Sequence, residues 1–469
     1  MVITATEATV ADVLIEGERI IGVVATGSEL SGTFAAGAGL VIDATGRYVL
    51  PGGVDAHTHF QSDGQAVPVL DTFETGTRAA ALGGTTTIID FAQASPGQRM
   101  TQGWERYRAM ADGQCAIDYG LHLNCFEVDE HSPAEMDRLV GEGVTSFKMF
   151  MAYPDRLYST DAQILRMMQQ AAGNGSLIMM HAENGIAMDL LRDQAVARGD
   201  TGPIWHARTR PPLLEAEAVH RACVLAQVAG SPLYIVHLSS AEALGEIVTA
   251  RDRGWNVFAE TCPQYLFLDQ SLLLGDGDAA GRDTSGDFAG ARYVCSPPLR
   301  PKEHQAELWR GLRTGDLSVV ATDHCPFCWS QRELGRTDFR AIPNGLPGVR
   351  HRVELLYQGA VAEGRLSLSR WVDLCATTPA KMFGLHPRKG TIAPGSDADV
   401  VVFDPHAPAT ITAASHDMNV DYSVYEGFEL TGTVRHVLLR GRQIVRDGSY
   451  VGQRHDGVYL PRAIPSLLR

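Results

Sequence analysis

From residue 50 onwards, short apolar runs rich in β-formers recur along the chain, and each ends in polar residues. They are YVLPGGVDAHTH (48–59), TTTIIDFA (85–92), YGLHLNCF (119–126), SFKMFMAY (146–153), SLIMMHAE (176–183), PLYIVHLSS (232–240), NVFAETCP (256–263) and LSVVATDHCP (317–326). Between most of them lie stretches with helical spacing, such as PAEMDRLVGEG, DAQILRMMQQAAGNG, EAEAVHRACVLAQVAG and SAEALGEIVTARDRG; several close on Gly, as helix ends do. Strands that are apolar on both faces and alternate with helices predict a parallel sheet, and eight such units predict a closed (β/α)8 barrel. An open doubly wound sheet is the alternative, but no Gly-rich phosphate loop follows the first strand.

Outside that region the period changes. ATVADVLIEGERIIGVVATG near the front, and DADVVVFDP and GTVRHVLLRGRQIVRDGSYVG at the back, alternate with turn residues as antiparallel strands do. The expected architecture is therefore α/β: a TIM-like barrel over 51–387 and a small β-sandwich domain built from both chain ends, 1–50 and 388–469. Two gaps exceed one helix. Residues 184–231 carry TGPIWHARTRPPLLEAEAVH, and 264–316 carry the Gly/Asp-rich LLGDGDAAGRDTSGDFAG, which lies within 270–291 and is expected to be a loop rather than a structured element.

With 469 residues and 45% hydrophobic content, the chain can bury a large core. Its formal charge of −15, without long acidic or basic runs, argues against nucleic acid or an anionic membrane as partner and leaves a small, uncharged or weakly charged substrate as the better fit. No window reaches the ~20 apolar residues of a membrane helix and the front lacks signal-peptide features, so a cytoplasmic location is expected. The eight cysteines are scattered, which suits reduced thiols. Cys325 and Cys328 form a lone CxxC, a weak signal for metal or redox chemistry.

His57-Thr58-His59 ends the first barrel strand, and side chains at i and i+2 of a strand share a face. His181 ends the fifth run, His237 the sixth and Asp323 the eighth, all at the C-terminal ends where such barrels place active sites. Each alone could be a satisfied core histidine or a helix cap; at matching strand ends they point to one shared site. Lys148 sits inside the apolar fourth run, where an unpaired ammonium costs several kcal/mol. Either it pairs with Asp323 or another carboxylate, or its nitrogen has reacted with carbon dioxide to give an anionic carbamate (N6-carboxylysine) able to bridge metals. Four imidazoles, a carbamate and an aspartate would suffice for two Zn2+ sharing a water, which implies hydrolysis with Asp323 moving the proton.

With these residues placed, the chain resembles the dihydropyrimidinase/hydantoinase family of the amidohydrolase superfamily. PGGVDAHTHF, FKMFMAY, MMHAENG, IVHLSS, ETCPQYL, YVCSPPLR, ATDHCPF, IPNGLPGVRHR and HPRKGTIAPGSDADVVVFDP resemble that family's segments in order, essentially end to end. The resemblance implies a cyclic amidase that opens 5,6-dihydropyrimidines or 5-substituted hydantoins to N-carbamoyl amino acids by attack of a metal-bridging hydroxide. It implies two Zn2+ per subunit, with His57, His59, carbamylated Lys148 and Asp323 on one and Lys148, His181 and His237 on the other. It further implies Tyr153 as oxyanion donor, Ser296 and Asn344 as backbone contacts to the ring, and a homotetramer. By spacing alone Ser296 and Asn344 read as turn residues. Allantoinase and dihydroorotase are the nearest alternatives; Phe60, not a cation, follows His59 and favours an uncharged substrate. A non-catalytic relative resembling the collapsin response mediator proteins is disfavoured because all six ligand positions are filled.

Overall fold

The structure, a computed structural model, describes residues 1–62, 67–154, 156–275, 288–465 and 467. Eight parallel strands follow one another in chain order around a barrel: β1 (Gly53–Thr58), β2 (Thr85–Ala92), β3 (Asp118–Asn124), β4 (Ser146–Phe150), β5 (Leu177–His181), β6 (Leu233–Ile235), β7 (Val257–Thr261) and β8 (Val319–Val320). Their side chains are buried on both faces, because helices cover the outside and packed residues such as Val54, Ile89, Met179, Tyr234 and Val319 fill the inside. Between β8 and β1 the ladder is completed beyond the strand ends, by a Thr58–His324 bridge in which the His59 amide donates to the His324 carbonyl at 2.9 Å.

The run at 48–59 is two strands rather than one. Tyr48–Pro51 pairs with Val400–Asp404 in the small domain, and the chain then crosses into β1 through Gly52. The Gly52 amide donates to the Asp399 carbonyl at 2.9 Å, and a β-carbon on Gly52 would lie 2.0 Å from the Thr86 hydroxyl. Strands β6 and β8 stop short of His237 and Asp323, which lie in the turns that follow.

Both chain ends share one seven-stranded sheet, in the order Ser449–Tyr450, Arg442–Arg446, Thr433–Leu439, Val400–Asp404, Tyr48–Pro51, Val2–Ile3, Ala8–Thr9. The hairpin Ala11–Glu16 with Arg19–Ala25 packs beside it around Ile20, Val49, Val400 and Leu438. Buried Lys389 ties this domain to the barrel, its Nζ reaching Asp118 of β3 at 2.6 Å, Asp399 at 2.8 Å and Asp397 at 2.9 Å. The last segment leaves the small domain: the Leu460 amide donates to the Tyr119 carbonyl at 2.7 Å, and Arg462 donates to the Ser146 hydroxyl at 2.8 Å. Short 3-10 helices, Gln270–Leu274 and Ala289–Tyr293, flank the predicted long loop; its residues 276–287 lie outside the described residues. Among the described residues no helix is long and apolar enough to cross a membrane.

The seam between β1 and β8 rests on buried Asp55, whose carboxylate accepts from the Thr322 amide at 3.1 Å and hydroxyl at 2.7 Å. Thr322→Val leaves that oxygen without its hydroxyl donor and should destabilise the fold by about 1–3 kcal/mol; denaturant unfolding reads the change, and an unaltered midpoint would show that the seam does not depend on this contact.

A candidate metal centre at the barrel mouth

β1 delivers the two histidines as the pleat requires, His57 wholly buried and His59 on the same face nearer the opening. Their Nε2 atoms lie 3.1 and 3.2 Å from the same Asp323 oxygen, and ligand atoms of the three residues all fall within 4.8 Å of one another. Lys148, pointing inward from the middle of β4, brings its Nζ to 2.9 Å from His57 Nε2 and 4.2 Å from the centre of the Phe91 ring. No ion pair of Lys148 is found among the described residues, and the Asp323 carboxylate lies against His57 and His59.

His181 and His237 complete the ring. Their imidazoles stand edge to face at 4.5 Å, His237 lies 5.4 Å from His57, and the Tyr153 ring is 5.3 Å from His181. Tyr153, Ser296 and Asn344 line the same solvent-open cavity as His59, Lys148, His181, His237 and Asp323. All nine residues singled out in the sequence therefore meet in or against one cavity. Tyr153, His237 and Asp323 hold positive φ values of 59°, 40° and 51°, a left-handed backbone that non-glycine residues adopt at a cost of about 1–3 kcal/mol each. The turns after β6 and β8, rather than strand pleat, aim the last two side chains.

Phe60 is the exception to the sequence reading. It is fully buried against Phe73 and His324, and Gly76 makes room for its ring, so it does not line the described cavity and says nothing direct about substrate charge. Cys325 borders the cavity while Cys328 is half-exposed beside Ser330, and neither thiol joins the histidine–aspartate group.

Burial lowers the Lys148 ammonium to about 8 against the pull of Asp323 and Glu260, so free amine is available near neutral pH. Burial also drives His59 down to about 4 and His237 well below the usual imidazole range, leaving both neutral, as metal ligation requires. For Asp323 burial acts upwards, but His57 and His59 outweigh it and hold the carboxyl well below its ordinary range. His237 Nδ1 is buried without a hydrogen-bond partner. Two imidazoles held neutral, one of them with an orphaned nitrogen, an ionised carboxylate and a deprotonatable lysine belong to a donor set that fits divalent metal.

Two carboxylates went unread in the sequence. Glu260, at the C-terminal end of β7, contacts His57 Nδ1, accepts from the Tyr234 hydroxyl at 2.8 Å and accepts from the His237 amide at 3.2 Å. Glu183 lies 2.8 Å from His181 Nε2. Glu260 ends its run just as the histidines end theirs, and Glu183 stands two residues past His181; those were the available signals.

A family model described as "Amidohydrolase family" matches residues 48–205 and 214–443. The chain is 58% identical over 464 residues to a D-hydantoinase of Streptomyces coelicolor, covering 99% of this chain and 97% of that protein. Among solved structures it is similar to a D-hydantoinase (TM-score 0.93, 44% identity, 99% of this chain and 98% of that one). It is similar also to a dihydropyrimidinase from Brevibacillus agri (TM-score 0.92, 44% identity, 99% and 97%).

Carboxylates behind metal-binding histidines fix the tautomer and raise ligand basicity, and their loss typically costs 10- to 100-fold in affinity. Glu260→Gln should accordingly weaken divalent-metal binding by roughly tenfold, measured by competition with a chelator; wild-type affinity would show that Glu260 does not tune His57.

Proposed function

The chain belongs to the amidohydrolase family, in its dihydropyrimidinase/hydantoinase branch, and is a hydrolase acting on cyclic amides; from that premise we propose that it opens 5-substituted hydantoins, and 5,6-dihydropyrimidines such as dihydrouracil and dihydrothymine, to N-carbamoyl amino acids. D-configured hydantoins are the preferred class, a reading supported by the D-hydantoinase of Streptomyces coelicolor at 58% identity. The observation that carries the site is the meeting of His57, His59 and Asp323 within 4.8 Å, beside buried Lys148, at a cavity wide enough for a small ring.

In this reading His57, His59, Lys148 and Asp323 would hold one Zn2+, and Lys148, His181 and His237 would hold a second. When bound, the pair supplies a water acidified to a pKa near ~7 and polarises the substrate carbonyl. The free amine of Lys148 would attack carbon dioxide, forming an N–C bond and releasing one proton, which converts a neutral amine into an anionic carbamate. Asp323, kept ionised by its two histidine neighbours, takes the proton of the attacking water and returns it to the ring nitrogen as the C–N bond breaks. Burial keeps Tyr153 protonated, so its hydroxyl can donate to the carbonyl oxygen as charge develops there. Ser296 and Asn344 hold the ring amide through backbone groups, and Phe126, Phe150 and Leu157 offer apolar surface to the 5-substituent. A homotetramer is the assembly expected from the family.

Side-by-side turnover by the zinc-loaded protein tests the substrate. D-5-phenylhydantoin should be opened fastest, ahead of its L-enantiomer, dihydrouracil and dihydrothymine, while dihydroorotate and allantoin stay intact; failure to open any hydantoin or dihydropyrimidine would sink the assignment. Lys148→Ala should lose zinc and activity together, with partial rescue by short carboxylic acids. Full zinc content in that variant would refute the bridging role.

A further inference from the structure

His206, in the helix Ile204–Arg208, and Arg210, in the turn after it, are both buried and have no part in the mechanism above. Their contacts nevertheless lead to it. Arg210 Nη1 lies 3.1 Å from His206 Nδ1, and a guanidinium can only donate, so Nδ1 accepts. His206 Nε2 lies 2.8 Å from the Cys295 carbonyl, which can only accept, so Nε2 carries the proton. The two ends of the ring thus demand the same neutral tautomer, and burial with Arg210 alongside holds the imidazole well below its usual range.

The consequence passes to Ser296, whose Oγ lies 3.2 Å from the same Nε2–H and must accept there. Its own hydroxyl proton is then free to turn toward Tyr153, which lines the same cavity. If Ser296 donates to the phenol oxygen, the Tyr153 proton is left to point into the cavity. With the opposite tautomer Ser296 would donate to His206, and Tyr153 would have to direct its proton at Ser296 instead. Arg210 is itself fixed: its carbonyl accepts from Arg300, which pairs with Glu215 at 2.9 Å, and its Nε lies 4.0 Å from Glu183.

We propose that Arg210 and His206 are positioning residues that set the direction of the hydrogen-bond chain Arg210–His206–Ser296–Tyr153, so that the Tyr153 proton faces the substrate carbonyl. This rests on the oxyanion role given to Tyr153 above. Aligned donors of this kind strengthen one another, so the effect belongs to the transition state rather than to substrate binding.

The test is a double-mutant cycle on the zinc-loaded enzyme with a hydantoin substrate. His206→Phe should lower kcat about tenfold, the scale of one redirected hydrogen bond, with KM, zinc content and melting temperature near wild type. Where that variant fails to fold, Ser296→Ala cuts the same chain while keeping the backbone, and should lower kcat alike. In a Tyr153→Phe background neither change should reduce kcat further. Unchanged kcat, or losses that multiply with that of Tyr153→Phe, would overturn the relay while leaving Tyr153 in place. A Tyr153→Phe enzyme with wild-type kcat would instead remove the oxyanion assignment, and the relay with it.

Discussion

Closure of the barrel between β1 and β8 is the constraint on which the site depends. His57 and His59 sit at the start of the barrel and Asp323 at its end, yet both Nε2 atoms come within 3.2 Å of one carboxylate oxygen because the sheet returns on itself there. The closing contacts run through side chains and turns as much as through the ladder. Asp55 holds Thr322, the His59 amide reaches the His324 carbonyl, and the His324 ring contacts Asp71 at 3.0 Å. Since β8 is only two residues long, these polar contacts carry a share of closure that main-chain pairing carries elsewhere.

A closed barrel buries most of the cluster, and burial governs the charges. Burial shifts Lys148, His59 and His237 towards their neutral forms, whereas Asp323 remains ionised because the imidazoles beside it offset its desolvation. The cluster thereby presents the neutral nitrogens of His59 and His237 and one anion to the cavity. That is the form in which it can bind a cation, and in which a lysine nitrogen is nucleophilic.

Around this cluster, proton positions are set by groups that cannot exchange roles. Glu260 accepts at His57, Glu183 lies against His181, and Arg210 with the Cys295 carbonyl fixes His206 from both sides. Obligate donors and acceptors remove the ambiguity that an imidazole or hydroxyl has alone. The supporting groups come from elements far apart in the chain, so the arrangement exists only once the barrel has formed.

Much of the plan was legible in the chain. Runs such as TTTIIDFA and SLIMMHAE announce strands buried on both faces, the i, i+2 spacing of His57 and His59 fixes a shared face, and Lys148 is conspicuous because a cation in an apolar strand demands an explanation. These are local facts, carried by periodicity and by the cost of burying charge. The sequence could not show that Gly52 divides its first run between two sheets, that Phe60 turns into the packing beneath a helix, or that residues near Leu460 return to the barrel. Nor could it show that Glu260 and His206 matter, since their partners lie 203 and 90 residues away. Periodicity specifies the face a side chain occupies; which group meets it there, and therefore which nitrogen holds the proton, is decided by closure of the barrel.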